Sequence, residues 1–140
     1  MEETVIVIMI KEKETGFLEK ELGCYSLEGY EELVYNTYAE ELEDGSYRIF
    51  MKLTCGRDVS DWEYEAIYDY YDTEALRPYV LDIVQDEEQY NPTWIVSFDY
   101  SHNIEEMETK INQILSVHKV ELDSVFDAIA DKKDDYIEGE

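Results

Sequence analysis

The best local case for acid–base chemistry lies where a predicted strand meets a predicted helix. Asp99, Ser101 and His102 follow one another closely there, and Asp99 could orient the imidazole of His102 near the Ser101 hydroxyl. Adjacent strand residues point to opposite faces, however, and Ser before a helix is an ordinary capping residue. An enzyme or ligand-binding domain that uses Asp99 and His102 is therefore the alternative. The main expectation is a protein that is not an enzyme and has no catalytic residues.

Carboxylate clusters raise the question of cation binding. Asp58, Asp61, Glu65 and Asp69 gather near one predicted helix start, and residues 86–88 add three acids in a loop. Hard cations take several oxygen ligands, but the EF-hand spacing is absent and a helix surface holds carboxylates too far apart for a tight shell. Phosphate-binding glycine loops and a nucleophile elbow are absent as well. We expect no metal site and no cofactor.

The helix that would carry these acids begins at a clear signal. Ser60 is a good N-cap, and Glu63 completes a capping box. Helical spacing then predicts a buried stripe of Tyr64, Ile67, Tyr68 and Tyr71. A helix with one buried face does not need a second apolar strip, yet this helix has one, formed by Trp62, Ala66 and Tyr70. Either a second element covers that strip or it is a contact surface.

The second strip and the acids beside it form the candidate protein-binding site. Tyr and Trp are common at the centres of protein interfaces, and flanking acids favour a basic partner. The same pattern fits a helix packed between the sheet and the C-terminal helices. The candidate site consists of Trp62, Tyr70, Asp61, Glu65, Asp69 and Asp72.

Net charge limits the partners. Thirty-six acids stand against 11 bases, giving −25, and residues 58–91 hold 11 acids with Arg77 as the only base. Such a chain repels nucleic acid and anionic membrane. Possible partners are a protein, in particular a basic one, or a cation; a merely solubilising charge is the simpler explanation. An acidic mimic of nucleic acid, bound in a basic protein groove, is a further alternative.

Composition also indicates the compartment. The two cysteines, Cys24 and Cys55, match no metal or CxxC spacing, so both are expected to be buried, reduced thiols. The N-terminus lacks a basic leader segment, and the longest apolar run, residues 5–10, is too short to span a membrane. We expect a cytoplasmic protein.

The pattern of elements predicts an α+β fold. Residues 4–10, 17–27, 33–42 and 47–54 read as strands, and the first half as a four-stranded antiparallel meander. A hairpin of residues 79–84 and 93–100 follows the helix at Ser60, and two helices separated by a short break complete the chain. The order ββββαββαα favours an antiparallel sheet of about six strands with helices against it. We expect a single domain over residues 1–130 and a charged, frayed tail over 131–140.

Two stretches carry a resemblance to a known family. DWEYEAIYDYYDTE (residues 61–74) and EEQYNPTW (residues 87–94) together resemble an uncharacterised family of small acidic bacterial proteins, a domain of unknown function. The resemblance covers nearly the whole chain. It implies a bacterial cytosolic setting, and no activity, cofactor or site residue comes with it. The function expected from the residues is therefore a small protein-interaction domain.

Overall fold

Strands and helices begin and end close to the local sequence signals. The computed structural model describes residues 4–136. The strands are β1 (Thr4–Lys11), β2 (Leu18–Leu27), β3 (Val34–Glu41), β4 (Tyr47–Thr54), β5 (Asp82–Gln85) and β6 (Thr93–Asp99). The helices are α1 (Asp61–Tyr70), α2 (Ile104–Ile129) and α3 (Lys133–Tyr136), with short 3-10 turns at Glu31–Leu33, Thr73–Ala75 and Arg77–Tyr79. The predicted α+β fold with six strands is confirmed.

The six strands form one mixed sheet in the order β2-β1-β3-β4-β6-β5. Every neighbouring pair is antiparallel except β1 and β3, which run parallel and pair at Met9–Tyr38 and Ile10–Ala39. The predicted four-stranded meander is therefore wrong, because β3 lies beside β1 instead of β2. The chain crosses from the edge strand β2 past β1, and Leu33 is buried in that connection.

The first hairpin contains the bulge that Gly23 indicates. Ile8 pairs with Gly23 and Met9 pairs with Glu21, so the register shifts by one residue at Leu22. A Cβ atom at position 23 would collide with the ring of Tyr25. Glycine therefore fits beside the Tyr25 ring, where a larger residue would force that ring to move.

Helix α2 covers part of the exposed edge of β2. The Ser26 N–H donates to Glu108 Oε2 (2.6 Å), and the Glu28 N–H donates to Asn112 Oδ1 (2.8 Å). The Asn112 amide in turn donates to the Ser26 carbonyl oxygen (3.1 Å). Two side chains of α2 thus satisfy backbone groups that a further strand would otherwise pair.

One continuous helix, α2, spans the stretch where two helices separated by a break were expected, and the short α3 follows it. The Asn103 side chain caps α2 by accepting from the Glu106 N–H (3.0 Å), as the capping signal predicts. The expected break after His118 is wrong, because the apolar spacing continues in phase through Leu122 to Ile129 and residues 104–129 contain neither Gly nor Pro.

The tail predicted over residues 131–140 lies partly outside the described residues. In its described part, α3 contacts α1, and the Tyr136 hydroxyl donates to Asp69 Oδ2 (2.8 Å). Within residues 4–136, no helix is both long enough and apolar enough to cross a bilayer.

Both α1 and α2 pack on the same face of the sheet, which we call the covered face. Trp94 on β6 shows this directly, since its ring stacks on Tyr71 after α1 (centroids 4.2 Å apart) and meets His118 of α2 edge-on (5.6 Å). The largest strand side chains that are fully buried on this face are Ile8, Ile49, Met51, Leu53, Trp94, Val96 and Phe98. The main core therefore lies between one sheet face and two helices.

The opposite face of the sheet, which we call the open face, is made of the alternate strand residues. Val5, Val7 and Val84 are 43–47% exposed, and the neighbouring large side chains are half-buried. The apolar members of this face are Val5, Val7, Met9, Tyr35, Tyr38, Phe50, Val84 and Ile95. Tyr38 and Phe50 stack on adjacent strands with centroids 5.4 Å apart.

The two cysteines differ in environment. Cys55 is buried, and its thiol donates to the Arg57 carbonyl oxygen (3.0 Å); burial raises its pKa. Cys24 is an exposed free thiol that pairs with Val7 across β1 and β2, so the expectation that both are buried is wrong for Cys24. The reason is the face: residue 24 alternates with the buried Tyr25 and points to the open side.

Candidate functional site

The candidate site is built on α1, which forms where its capping signals predict. The Ser60 N–H donates to Glu63 Oε1 (3.0 Å), completing the capping box. Asp61, Glu65 and Asp69 lie along one exposed side at four-residue spacing. The acidic stripe on α1 therefore has three members, because the helix ends at Tyr70 and the chain turns extended at Tyr71. Asp72 leaves the stripe and caps the next turn by accepting from the Glu74 N–H.

The buried side of α1 is rotated from the predicted stripe. Ile67 and Tyr71 are buried as expected, but the fully buried residue beside Ile67 is Ala66, which was assigned to the second strip. Tyr64 and Tyr68 are half-buried instead of core residues. Both tyrosine hydroxyls hydrogen-bond to the β5–β6 loop, so this side of α1 faces the loop as well as the core.

Two tyrosines tie α1 to the acidic loop between β5 and β6. The Tyr64 hydroxyl lies 3.2 Å from the Glu87 carbonyl oxygen and 3.1 Å from that of Gln89. The Tyr68 hydroxyl lies 3.1 Å from the carbonyl oxygen of Asp86 at the start of the loop and 3.0 Å from that of Thr93 on β6, and it accepts from the Thr93 N–H (2.9 Å). Burial raises the pKa of Tyr68, which keeps this hydroxyl protonated. The loop is thus fixed beside the helix by backbone contacts that its own sequence does not specify.

This attachment creates an acidic groove. The groove has a volume of about 570 Å³ and is lined by Tyr64, Glu65, Tyr68, Asp69, Gln85 and Glu87. Carboxylates from α1 and from the loop face the same opening, and no base lines it within the described part of the chain. Two acidic clusters that are separate in the sequence therefore form one surface.

Of the three acids in the β5–β6 loop, Asp86 pairs with a base, whereas Glu87 and Glu88 stay exposed. Lys52 Nζ lies 3.6 Å from Asp86 Oδ2, and both side chains are largely buried. The Gln89 amide also donates to Asp86 Oδ2 (2.9 Å). Glu87 and Glu88 remain exposed, so the outward charge of the loop comes from these two residues.

Trp62 and Tyr70 have different surroundings although they share a strip. Trp62 is half-buried, packs against the core and lies 6.3 Å from the ring of Tyr136 in α3. Tyr70 is 41% exposed. The second apolar strip is thus covered at Trp62 and Ala66 and open at Tyr70, beside the exposed carboxylate of Asp69.

The residues of the alternative acid–base site diverge. Asp99 faces Arg48 (3.8 Å), whereas the His102 ring meets Tyr100 edge-on (5.0 Å). The Ser101 hydroxyl donates to Glu106 Oε2 (2.7 Å) and accepts from the Asn103 N–H, which is a capping arrangement. Among residues 4–136, no hydrogen bond joins Asp99, Ser101 and His102, and no group of three or more His, Cys, Asp or Glu side chains could hold a metal ion.

The match to known proteins extends over almost the whole chain. Residues 1–137 match a family of unknown function, DUF6762. The chain belongs to this family. No curated protein and no solved structure matches it. The family adds no residue roles.

His118 forms a buried polar link between α2, β4 and the end of α1. It is fully buried and lies in the middle of α2. Its Nε2 lies 2.8 Å from the Thr54 carbonyl oxygen, which can only accept, so Nε2 carries the hydrogen. Nδ1 then accepts from the Tyr71 hydroxyl (2.7 Å). Burial lowers the pKa of His118 to about 4, so the ring is neutral and structural at pH 7.

Sequence reasoning missed Glu87 as a neighbour of Glu65 and Asp69. A signal was present in Tyr64 and Tyr68, because a hydroxyl on a packed stripe must find a hydrogen-bond partner. Tyrosine at both positions therefore indicated a polar neighbour for this side of the helix. Nothing in the spacing identified that neighbour as the β5–β6 loop.

Proposed function

We propose that the protein is a cytoplasmic, non-enzymatic interaction domain that binds a basic protein through the acidic groove. The observation that supports this most strongly is the joining of α1 to the β5–β6 loop by Tyr64 and Tyr68. That contact brings the carboxylates of Glu65, Asp69 and Glu87 to one opening without a base among them.

The shape and the charge of the acidic groove favour a basic side chain of a partner protein as its ligand. Acidic surfaces draw basic partners by long-range attraction, which raises association rates and weakens with salt. Tyr70 stands exposed next to the groove, and an exposed tyrosine can contribute apolar contact beside an ion pair. A lysine or arginine entering the groove would meet carboxylates from two directions.

Mimicry of nucleic acid is the second candidate. It is favoured by the continuation of the acidic stripe of α1 into the loop, which lengthens the row of charges beyond the helix. The two candidates predict different partners. A mimic occupies the nucleic-acid groove of its partner and is displaced by DNA or RNA, whereas a plain interaction domain is not.

The test is affinity capture from lysate with a groove variant and a charge-matched control. The groove variant is Glu65→Gln/Asp69→Asn/Glu87→Gln, and the control is Glu12→Gln/Glu14→Gln/Asp127→Asn, which removes the same charge from exposed positions elsewhere. Each exposed ion pair contributes about 0.2–1 kcal/mol, so the groove variant should bind roughly tenfold or more weakly. Raising salt to about 0.3 M should weaken wild-type binding further.

Three outcomes separate the possibilities. Loss of a basic partner by the groove variant alone supports the proposal. Equal loss with the control variant means that net charge, and not this groove, is responsible. Displacement of the captured partner by added DNA identifies mimicry.

A further inference from the structure

Within residues 4–136, the open face is a large apolar surface that neither α1 nor α2 covers. Across its strands, the pairs Met9–Tyr38, Tyr38–Phe50 and Ile95–Val84 place apolar side chains next to one another. Val5 and Val7 extend the surface along β1 with more than two-fifths of each residue exposed. Contiguous apolar surface of this size on a water-soluble domain generally marks an interaction site.

The open face carries much less excess negative charge than the rest of the molecule. Among the described strand side chains of this face there are three bases, Lys11, Arg48 and Lys52, and four acids, Glu21, Glu40, Asp82 and Asp99. Asp86 of the β5–β6 loop lies 3.6 Å from Lys52 and adds a fifth acid, so five acids less three bases leave this face with only two of the 25 excess negative charges. Lys11 and Lys52 also lie over the rings of Tyr38 and Tyr35.

We propose that the open face is the contact between two copies of this chain. Two copies repel one another at every acidic surface, and the open face is where that repulsion is least. A basic foreign partner is drawn instead to the acidic groove on the other side. In a two-fold contact the same patch meets itself, so its own bases and acids can pair across the interface.

The area of the face suits a dimer. Six strands spaced about 4.8 Å apart and roughly seven residues long cover on the order of 600 Å². Stable interfaces bury roughly 800 Å² per partner, with smaller values for weaker contacts. We therefore expect a dimer held by a contact at the smaller end of the range of specific interfaces.

Salt dependence provides the sharpest expectation. Attraction between the open faces is mainly apolar, while the remaining surfaces of two acidic copies repel one another. Salt screens that repulsion, since the Debye length falls from about 30 Å at 0.01 M to about 10 Å at 0.1 M. Self-association should therefore strengthen with salt, whereas binding of a basic partner at the acidic groove should weaken.

The experiment is sedimentation equilibrium of the full chain at about 0.02 M and 0.3 M NaCl. Val7→Glu places a charge on the open face, and Val120→Glu makes the same change on the exposed side of α2. The wild type should form dimers more tightly at the higher salt. Val7→Glu should weaken the dimer at least about tenfold, and Val120→Glu should leave it unchanged.

A native reporter gives a second readout. Cys24 lies opposite Val7 on the open face and is exposed, whereas Cys55 is buried. Thiol labelling of Cys24 should slow as protein concentration rises, in the wild type and not in Val7→Glu. A chain that stays monomeric to the millimolar range at both salts overturns the proposal. So does a dimer that Val7→Glu and Val120→Glu weaken equally.

Discussion

The covered and open faces of the sheet are built from alternate residues of the same strands. On β4, Ile49, Met51 and Leu53 are wholly buried, while Phe50 and Lys52 between them are only half-buried. Hydrophobicity does not distinguish Phe50 from Met51. The difference comes from the placement of α1 and α2, which cover one face and direct their acids outward on that side. A strand's alternation thus defines two faces, and the helices decide which becomes core.

The largest expected contrast between the faces is in stability. Phe98 on the covered face is 1% exposed, and Phe50 on the open face is half-buried, although the two strands are neighbours. Phe98→Ala should lower the free energy of unfolding by about 3–5 kcal/mol, and Phe50→Ala by about 1 kcal/mol. Urea melts at low protein concentration measure both. Equal losses would mean that the open face is covered in solution.

The pH dependence of stability tests the buried state of His118, with His102 as the control. The pKa of His118 in the folded protein, about 4, lies below the ordinary value of 6.5, so unfolding takes up a proton between these pH values. The stability that neutral His118 contributes is present above pH 6.5 and is lost as pH falls toward 4, by about 3 kcal/mol.

The matched variants are His118→Gln and His102→Gln. Carboxylate titration in the same pH window affects all three proteins alike. Wild type and His102→Gln should therefore lose more stability than His118→Gln between pH 6.5 and 4. Parallel pH profiles for all three would show that His118 is not held neutral.

Removing the single hydroxyl of Tyr68 tests the attachment of the acidic loop to α1. Tyr68→Phe removes the partner of the Thr93 N–H and leaves that buried group unsatisfied, which should cost about 1–3 kcal/mol. Tyr70→Phe removes the hydroxyl of an exposed side chain and should lower the free energy of unfolding by less than about 0.5 kcal/mol. Hydrogen exchange at the Thr93 amide should speed up in the first variant only. An unchanged rate would argue against this anchor.

The smallest expected effect is that of salt on the monomer. Acids concentrated outside the open face repel one another, and screening should raise the melting temperature by a few degrees between about 0.01 M and 0.3 M NaCl. The groove variant Glu65→Gln/Asp69→Asn/Glu87→Gln should show a smaller rise. A flat profile for the wild type would mean that charge repulsion is not a main destabilising force.

Local signals predicted the elements well because each depends on near neighbours. The capping residues Ser60 and Asn103 mark the starts of α1 and α2, and alternation located β4 at its observed bounds. Strand order could not be obtained in this way. Hydrophobic alternation is the same in a meander as in a sheet where β1 and β3 run parallel.

The candidate site was predictable only in part for a related reason. Asp61, Glu65 and Asp69 lie on one helix, so a single period fixes their relation. Glu87 joins them through contacts more than twenty residues apart, made by tyrosine hydroxyls to backbone carbonyls. Backbone carbonyls carry no sequence signature, so no pattern of residue types pointed to the pairing.

The hydrogen bonds from Glu108 and Asn112 to the end of β2 have a consequence for assembly. With Ser26 and Glu28 already paired to a helix, this stretch of the sheet offers no template for another chain. The opposite border is β5, a strand of only four residues that begins at Asp82. Growth by adding strand to strand is therefore hindered at the end of β2 and at the short β5, which works against open-ended polymerisation into fibrils.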